Sequence, residues 1–263
     1  MEKVIYYSDE LNDDFAGTNI KEVPLPPDFK YTGHGPFWKA LSFFIYRIIA
    51  TPVAYLVCKL HYGVKYVNRK ALKKCKGGYF LYINHTMVAG DAFNPSIAAF
   101  PKKTDIIVSN DAVSNGFLRV VVPMLGGMPV PGGLKQVLKF KKAIDESYEK
   151  GHCITIYPEA HIWKYYTGIR PFTDVSFKYP AELDAPVYCA TVTYKRRKFI
   201  KRPKAEVFID GPFYADAAAP MKTRQKQLRD AVYNTMVARA ENSNCEYIKY
   251  VRKEKEAEEE GIA

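Results

Sequence analysis

Residues 79–91, YFLYINHTMVAGD, place a histidine and then a carboxylate at the end of a short apolar run rich in aromatic and β-branched residues. That pairing suits general-base chemistry. The imidazole takes a proton from a nucleophile, while a carboxylate fixes its tautomer and holds the imidazolium that results. His85 and Asp91 are the candidate base and orienter, with Asn84 and Thr86 beside the ring. The plainer alternative is a satisfied loop histidine next to a helix-capping Asp. A second polar set, Tyr157-Pro158-Glu159-Ala160-His161, ends the run CITIYPEAHIW.

His85 and Asp91 are separated by five residues. At ~100° per residue, such an offset leaves two side chains on different faces of a regular helix. The pair must therefore meet across a loop or the start of a helix, with Gly90 adjacent to relieve the backbone.

No resident nucleophile accompanies the base. The sequence has no G-x-S-x-G elbow, H-E-x-x-H zinc helix, P-loop or G-x-G-x-x-G turn,. A base of this kind implies that the substrate brings its own hydroxyl and that the attacked group is an acyl carbon. Five scattered cysteines without a C-x-x-C pair argue against a zinc site or a disulfide frame and for a reducing compartment,.

The frame for these residues is legible as alternating strand and helix. YFLYI (79–83), DIIVS (105–109), CITIY (153–157), PVYCATVTY (186–194) and AEVFID (205–210) read as strands, mostly continuous apolar runs suited to burial on both faces,. Helical patterns lie near 91–99, 112–124, 134–150 and 174–183, with a last one after Pro220. The order predicts an α/β three-layer sandwich with a mainly parallel central sheet, whose strand carboxyl ends carry function. Residues 1–36 read as an irregular arm, 61–215 as the catalytic domain, and 216–263 as C-terminal helices with a charged tail,.

Residues 37–60, FWKALSFFIYRIIATPVAYLVCKL, repeat apolar side chains near the helical period, with Lys39 and Arg47 set apart,. Pro52 predicts a kink and therefore a hydrophobic, amphipathic helix pair. Its length suffices to span a bilayer, but the mid-segment Arg and Pro favour an interfacial position, with a core helix as the plain alternative.

Two motifs and their surroundings resemble the glycerolipid acyltransferase family, whose best-known members are the 1-acylglycerol-3-phosphate (lysophosphatidate) O-acyltransferases. Asn84, His85 and Asp91 resemble the family's N-H-x4-D motif, and Tyr157, Pro158, Glu159 and Ala160 resemble F-P-E-G-T-R. MLGGMPVPGG (124–133) echoes a middle Gly-apolar-Arg motif, and APVYCATVTY (185–194) a final Pro-flanked strand. The resemblance implies transfer of a fatty acyl group from a coenzyme A or acyl-carrier-protein thioester to a lysophospholipid hydroxyl, in phospholipid biosynthesis. 1-Acyl-glycerol-3-phosphate is the expected acceptor, and the thioester is a substrate, with no bound cofactor or metal. His85 would be the base, Asp91 its orienter and Glu159 a residue shaping the acceptor site. The family's two phosphate-binding arginines fall at Ile162 and at Pro131 or Gly132. His161, Lys135 and Arg170 are the cations that could replace them.

With 39 Lys and Arg against 28 Asp and Glu, the net charge is +11, and 20 Tyr, 15 Phe and 2 Trp accompany it. A balance that basic favours an anionic partner, whether nucleic acid, an acidic membrane surface or a phosphorylated cofactor or substrate. The amphipathic rings tilt it toward an anionic lipid membrane, although they could equally stack on bases. The run KRRKFIKRPK, 195–204, reads as an exposed hairpin or a contact for membrane or coenzyme phosphate,. No nucleic-acid-binding motif is present, so nucleic acid is not an expected partner. The N-terminus is acidic and polar, unlike a secretory signal, which predicts a peripheral or monotopic protein on the cytoplasmic face of a membrane,. The rival readings are a thioesterase or lipid hydrolase using the same base on water, and a non-catalytic lipid-binding protein.

Overall fold

The five apolar runs form strands, and alternation along them builds two separate cores. The computed structural model describes residues 3–15 and 23–253. In chain order the elements are β1 (Lys3–Tyr7), α1 (Pro36–Phe44), α2 (Thr51–Leu56), β2 (Lys65–Val67), α3 (Lys70–Lys74), β3 (Tyr79–Ile83), α4 (Ala89–Ala99), β4 (Thr104–Val108) and α5 (Gly116–Met124). They continue with β5 (Gly127–Pro129), α6 (Leu134–Glu149), β6 (Cys153–Ile156), α7 (Lys178–Glu182), β7 (Val187–Lys195), β8 (Lys204–Phe213), α8 (Met221–Ala240) and β9 (Ile248–Arg252).

Seven strands form one sheet in the order β2-β8-β7-β3-β6-β4-β5. The run from β7 to β5 is parallel, and β8 returns antiparallel to β7. Tyr79, Leu81 and Ile83 point to one face with Ala190, Val192 and Tyr194, against Ala54, Cys58, Met87 and Ile97. Phe80 and Tyr82 point to the other with Ile154 and Ile156, against Phe140, Ile144, Leu228, Val232 and Met236. Helices thus cover both faces, as continuous apolar strands require.

The expected helix pair is a single helix, Pro36–His61. A π-helical stretch, Ile45–Ala50, joins α1 to α2, and a second, Val57–His61, carries α2 to the end of that helix. The Thr51 N–H bonds the Tyr46 carbonyl five residues back, just ahead of Pro52. The wider π turn absorbs the proline where a regular α-helix would kink. Tyr46, Ala54 and Cys58 are buried against the sheet, whereas Phe37, Phe43, Ile49 and Leu60 are exposed.

The arm read as irregular contributes β1, which pairs in parallel with β9 from Lys3↔Ile248 to Tyr7↔Arg252. The C-terminal region is accordingly one helix, α8, followed by a strand, and the charged end at 254–263 lies outside the described residues. This small sheet backs the loop after β6. Trp163 stacks on Tyr250 at 4.8 Å, meets Tyr7 at 4.7 Å, and donates its indole N–H to the Asp13 carbonyl at 2.7 Å.

Candidate active site

β3 delivers His85 to the carboxyl edge of the sheet, and the first turn of α4 delivers Asp91. His85 Nδ1 lies 2.8 Å from Asp91 Oδ2. The same oxygen accepts the Met87 N–H at 2.8 Å, so the imidazole is the donor and Nε2 is the nitrogen left for a ligand. The loop between them turns at Val88, a β-branched residue at φ 54°. That conformation costs roughly 1–3 kcal/mol and persists only because its surroundings fix it. Gly90 serves by its size rather than by relieving the backbone: a Cβ there would meet Met87 and Tyr62 atoms at 2.9 Å. Tyr62 completes the support, its hydroxyl donating to the Met87 carbonyl.

A buried carboxylate holds the backbone of His85. Glu159 Oε2 accepts the His85 N–H at 2.8 Å and Oε1 accepts the Arg170 N–H at 2.9 Å. Burial pushes the Glu159 carboxyl up, and the Arg170 charge and these two N–H groups pull it part of the way back,. The Arg170 guanidinium is fully buried over Trp163 and donates to the carbonyls of Glu10, Glu159 and His161. Both side chains are therefore struts between loops, and neither lines the cavity beside His85.

Asn84 and Thr86 are also spent within the protein. Asn84 clamps β7, donating to the Val192 carbonyl at 3.1 Å and accepting the Val192 N–H at 2.8 Å. Thr86 donates to the Tyr166 carbonyl, and its own carbonyl accepts the Tyr194 hydroxyl. Tyr157, quoted in the motif but given no role in the sequence reading, stacks on His85 at 4.3 Å and donates to the Asp91 carbonyl at 2.6 Å. Its position directly before Pro158, at the end of an apolar strand, was the available signal.

His85 and Asp91 line a cavity of about 550 Å³, within the range of ligand sites. Its walls are largely apolar: Ile106–Val108 from β4, Val122 and Leu125 near α5, Phe93 from α4, and Ala50 and Ala54 from the buried side of the long helix. Among the described residues no Lys or Arg lines it, but Asp111 does, accepting the Ser109 hydroxyl. The three candidate phosphate ligands do not converge there. Arg170 is buried behind Glu159, His161 is half-buried outside the lining, and Lys135 is exposed at the start of α6. α6 follows β5, three strands from β3, roughly 14 Å across the sheet.

No protein-family model matches the sequence, and no curated protein matches it. Among solved structures the chain is similar to the 1-acyl-sn-glycerophosphate (LPA) acyltransferase PlsC from Thermotoga maritima, with 14% identity and a TM-score of 0.54. The match covers 80% of this chain and 89% of that one. At this identity the likeness shows the fold: a mixed α/β domain with a mostly parallel sheet, preceded by a long N-terminal helix.

Proposed function

We propose that the chain is a peripheral membrane O-acyltransferase of lipid biosynthesis, moving a fatty acyl group from a thioester of coenzyme A or acyl carrier protein to a lysophospholipid hydroxyl. One observation carries the reading: His85 and Asp91, bonded to each other, line an apolar cavity in which, among the described residues, no hydroxyl or thiol is bonded to the His85 ring. The shared fold with a lysophosphatidate acyltransferase agrees with it.

In the reaction, the acceptor hydroxyl gives its proton to His85 Nε2 as its oxygen attacks the thioester carbonyl. The tetrahedral intermediate collapses by expelling the thiolate, which recovers the proton from the imidazolium. Ester and free thiol leave, and no acyl-enzyme forms. Asp91 stabilises the imidazolium, and Tyr157 and Glu159 keep the ring and its backbone in place. The exposed apolar face of the long helix lies in the membrane interface,.

A labelled acyl thioester offered with a panel of lysolipids, with chromatographic identification of the product, tests the reading. Diacyl product is expected, whereas release of free acid without an acceptor marks a hydrolase. 1-Acyl-glycerol-3-phosphate is the acceptor suggested by the neighbour's name. A second reading follows from the cavity itself: with Asp111 and, among the described residues, no Lys or Arg along its walls, it favours an acceptor whose head group is not a bare phosphate monoester.

A further inference from the structure

The β7–β8 hairpin projects past the edge that carries His85. Ala190 pairs with Ile83, and β7 continues five residues to Lys195, roughly 17 Å at ~3.3 Å per residue. The turn therefore stands beyond the His85 loop. Its segment, KRRKFIKRPK, holds seven cations and no acid. Two of the cations fasten it. Arg197 donates to the His61 carbonyl at 3.1 Å, and Arg202 Nη1 lies 2.8 Å from His61 Nδ1, tying the hairpin to the last residue of the long helix. Arg196, Lys198, Lys201 and Lys204 remain exposed.

At the tip stand two apolar side chains, Phe199 at 89% exposure and Ile200 at 54%. Lys198 Nζ lies 5.2 Å from the Phe199 ring centre. Burying neither Phe nor Ile while surrounding them with free cations leaves apolar area in water, an arrangement that a folded core does not explain. Through His61 the patch continues into the exposed apolar face of the helix, which ends at Leu60, 70% exposed.

We infer that this hairpin is a second, charge-dependent membrane contact, setting Phe199 and Ile200 into the headgroup layer of an anionic leaflet between the phosphates held by Arg196, Lys198, Lys201 and Lys204. A lipid surface fits both halves of the patch, since rings and aliphatic tips enter the interface while cations stay at the phosphates. With the helix as one contact and the hairpin as the other, the carboxyl edge of the sheet is turned toward the bilayer. Only that orientation rests on the acyltransferase reading; the binding does not.

The test uses the full-length chain with vesicles of phosphatidylcholine, alone or with phosphatidylglycerol. Phe199→Trp places a probe at the tip, read against the parent's Trp38 and Trp163 background. Its emission should shift to the blue and be quenched by brominated lipid in anionic vesicles, and salt should reverse both effects. Lys198→Ala with Lys201→Ala should lower partitioning onto anionic vesicles roughly 25-fold, from about fivefold per cation, with binding to neutral vesicles and the melting temperature unchanged. A Phe199→Trp protein that floats with vesicles yet shows no shift and no quenching overturns the inference. So does a double variant whose vesicle binding is unaltered while its KM for acyl-CoA rises, because the cations then serve the donor's phosphates. Quenching without any acyl transfer would sink the proposed reaction and leave the hairpin contact standing.

Discussion

Glu159 holds His85 by its backbone: Oε2 accepts the His85 N–H at 2.8 Å while Oε1 accepts the Arg170 N–H at 2.9 Å. A carboxylate engaged at both oxygens and buried to 5% exposure positions the His85 loop. Glu159→Gln turns one acceptor into a donor facing an N–H and leaves Arg170 without its carboxylate. Breaking a buried pair in this way costs about 3–5 kcal/mol. The expected result is a large fall in melting temperature with a fall in kcat and little change in acceptor KM. A raised acceptor KM with stability intact would mean that Glu159 touches the acceptor.

The proposed reaction depends on His85. His85→Ala should abolish acyl transfer and leave the circular dichroism spectrum unchanged. Asp91→Asn should cost more than tenfold without reaching total loss, because general-base help is worth ~10²–10⁴ and the orienter supplies part of it. Transfer at the parent rate by a folded His85→Ala protein would remove the mechanism.

Much of this frame was legible because β3 is apolar throughout and β6 and β7 are mostly so, interrupted only by Thr155, Thr191, Thr193 and the terminal Lys195, a pattern suited to strands buried on both faces,. The offset excluded a common helix face, so His85 and Asp91 could meet only across a loop or a helix entry, which is where they do meet. What stayed hidden were features set by tertiary context. β1 and β9 hold β-forming residues but are half-exposed and pair only with each other across the length of the chain, and β5, GMP, has a glycine and a proline in three residues. Pro52 reads as a break, but the π turn before it is invisible in the local sequence. Arg170 reads as a surface charge, yet it lies between Trp163 and Glu159 at 0% exposure. Charge alone does not reveal such burial, and its setting among Tyr165, Tyr166, Ile169, Pro171 and Phe172 was the weak cue.

Asp105 should govern acid stability at the opposite edge of the sheet. Burial alone would raise its carboxyl, but the His152 hydrogen bond at 2.6 Å and the Lys103 charge outweigh it and hold it at about 2. The ordinary value is 3.8. A depressed carboxylate stabilises the fold above its unfolded pKa, and that contribution disappears as pH falls from about 4 through 2. Urea midpoints measured across this window should decline for the parent. Asp105→Asn should flatten that decline and cost roughly 2 kcal/mol at neutral pH. Equal slopes for both proteins would refute the assignment.

Acceptor choice separates the two readings of the cavity. Lys135→Ala should leave the acceptor KM unchanged because the side chain stands far from His85. Arg170→Ala should lower the melting temperature, since the guanidinium carries three backbone carbonyls. Asp111→Asn removes the half-buried carboxylate that this wall offers to the cavity. If the head group is a phosphate monoester, the variant should use lysophosphatidate better by several-fold. If it is zwitterionic or neutral, the variant should lose its preferred acceptor instead. Initial rates across a lysolipid panel for parent and variant decide between them, and an unchanged panel would show that Asp111 does not read the head group.

The long helix carries two faces with separable consequences. Phe43, Ile49 and Leu60 are exposed, whereas Tyr46 is buried with its hydroxyl accepting the Thr104 N–H at 3.0 Å. Deleting residues 1–60 would not isolate the membrane face, because Leu25, Phe29, Tyr46, Ala54 and Cys58 all belong to buried clusters or packing. Phe43→Ser, Ile49→Ser and Leu60→Ser together remove apolar area only from the outer face. Partial burial of three such side chains in the interface is worth roughly 4 kcal/mol, about a thousandfold in partitioning. The triple variant should therefore stop floating with neutral vesicles, where the basic hairpin contributes little, while its melting temperature stays at the parent value. Tyr46→Ser should do the reverse, lowering the melting temperature with flotation retained. A triple variant that still floats with neutral vesicles would mean that the outer face is not the one that meets lipid.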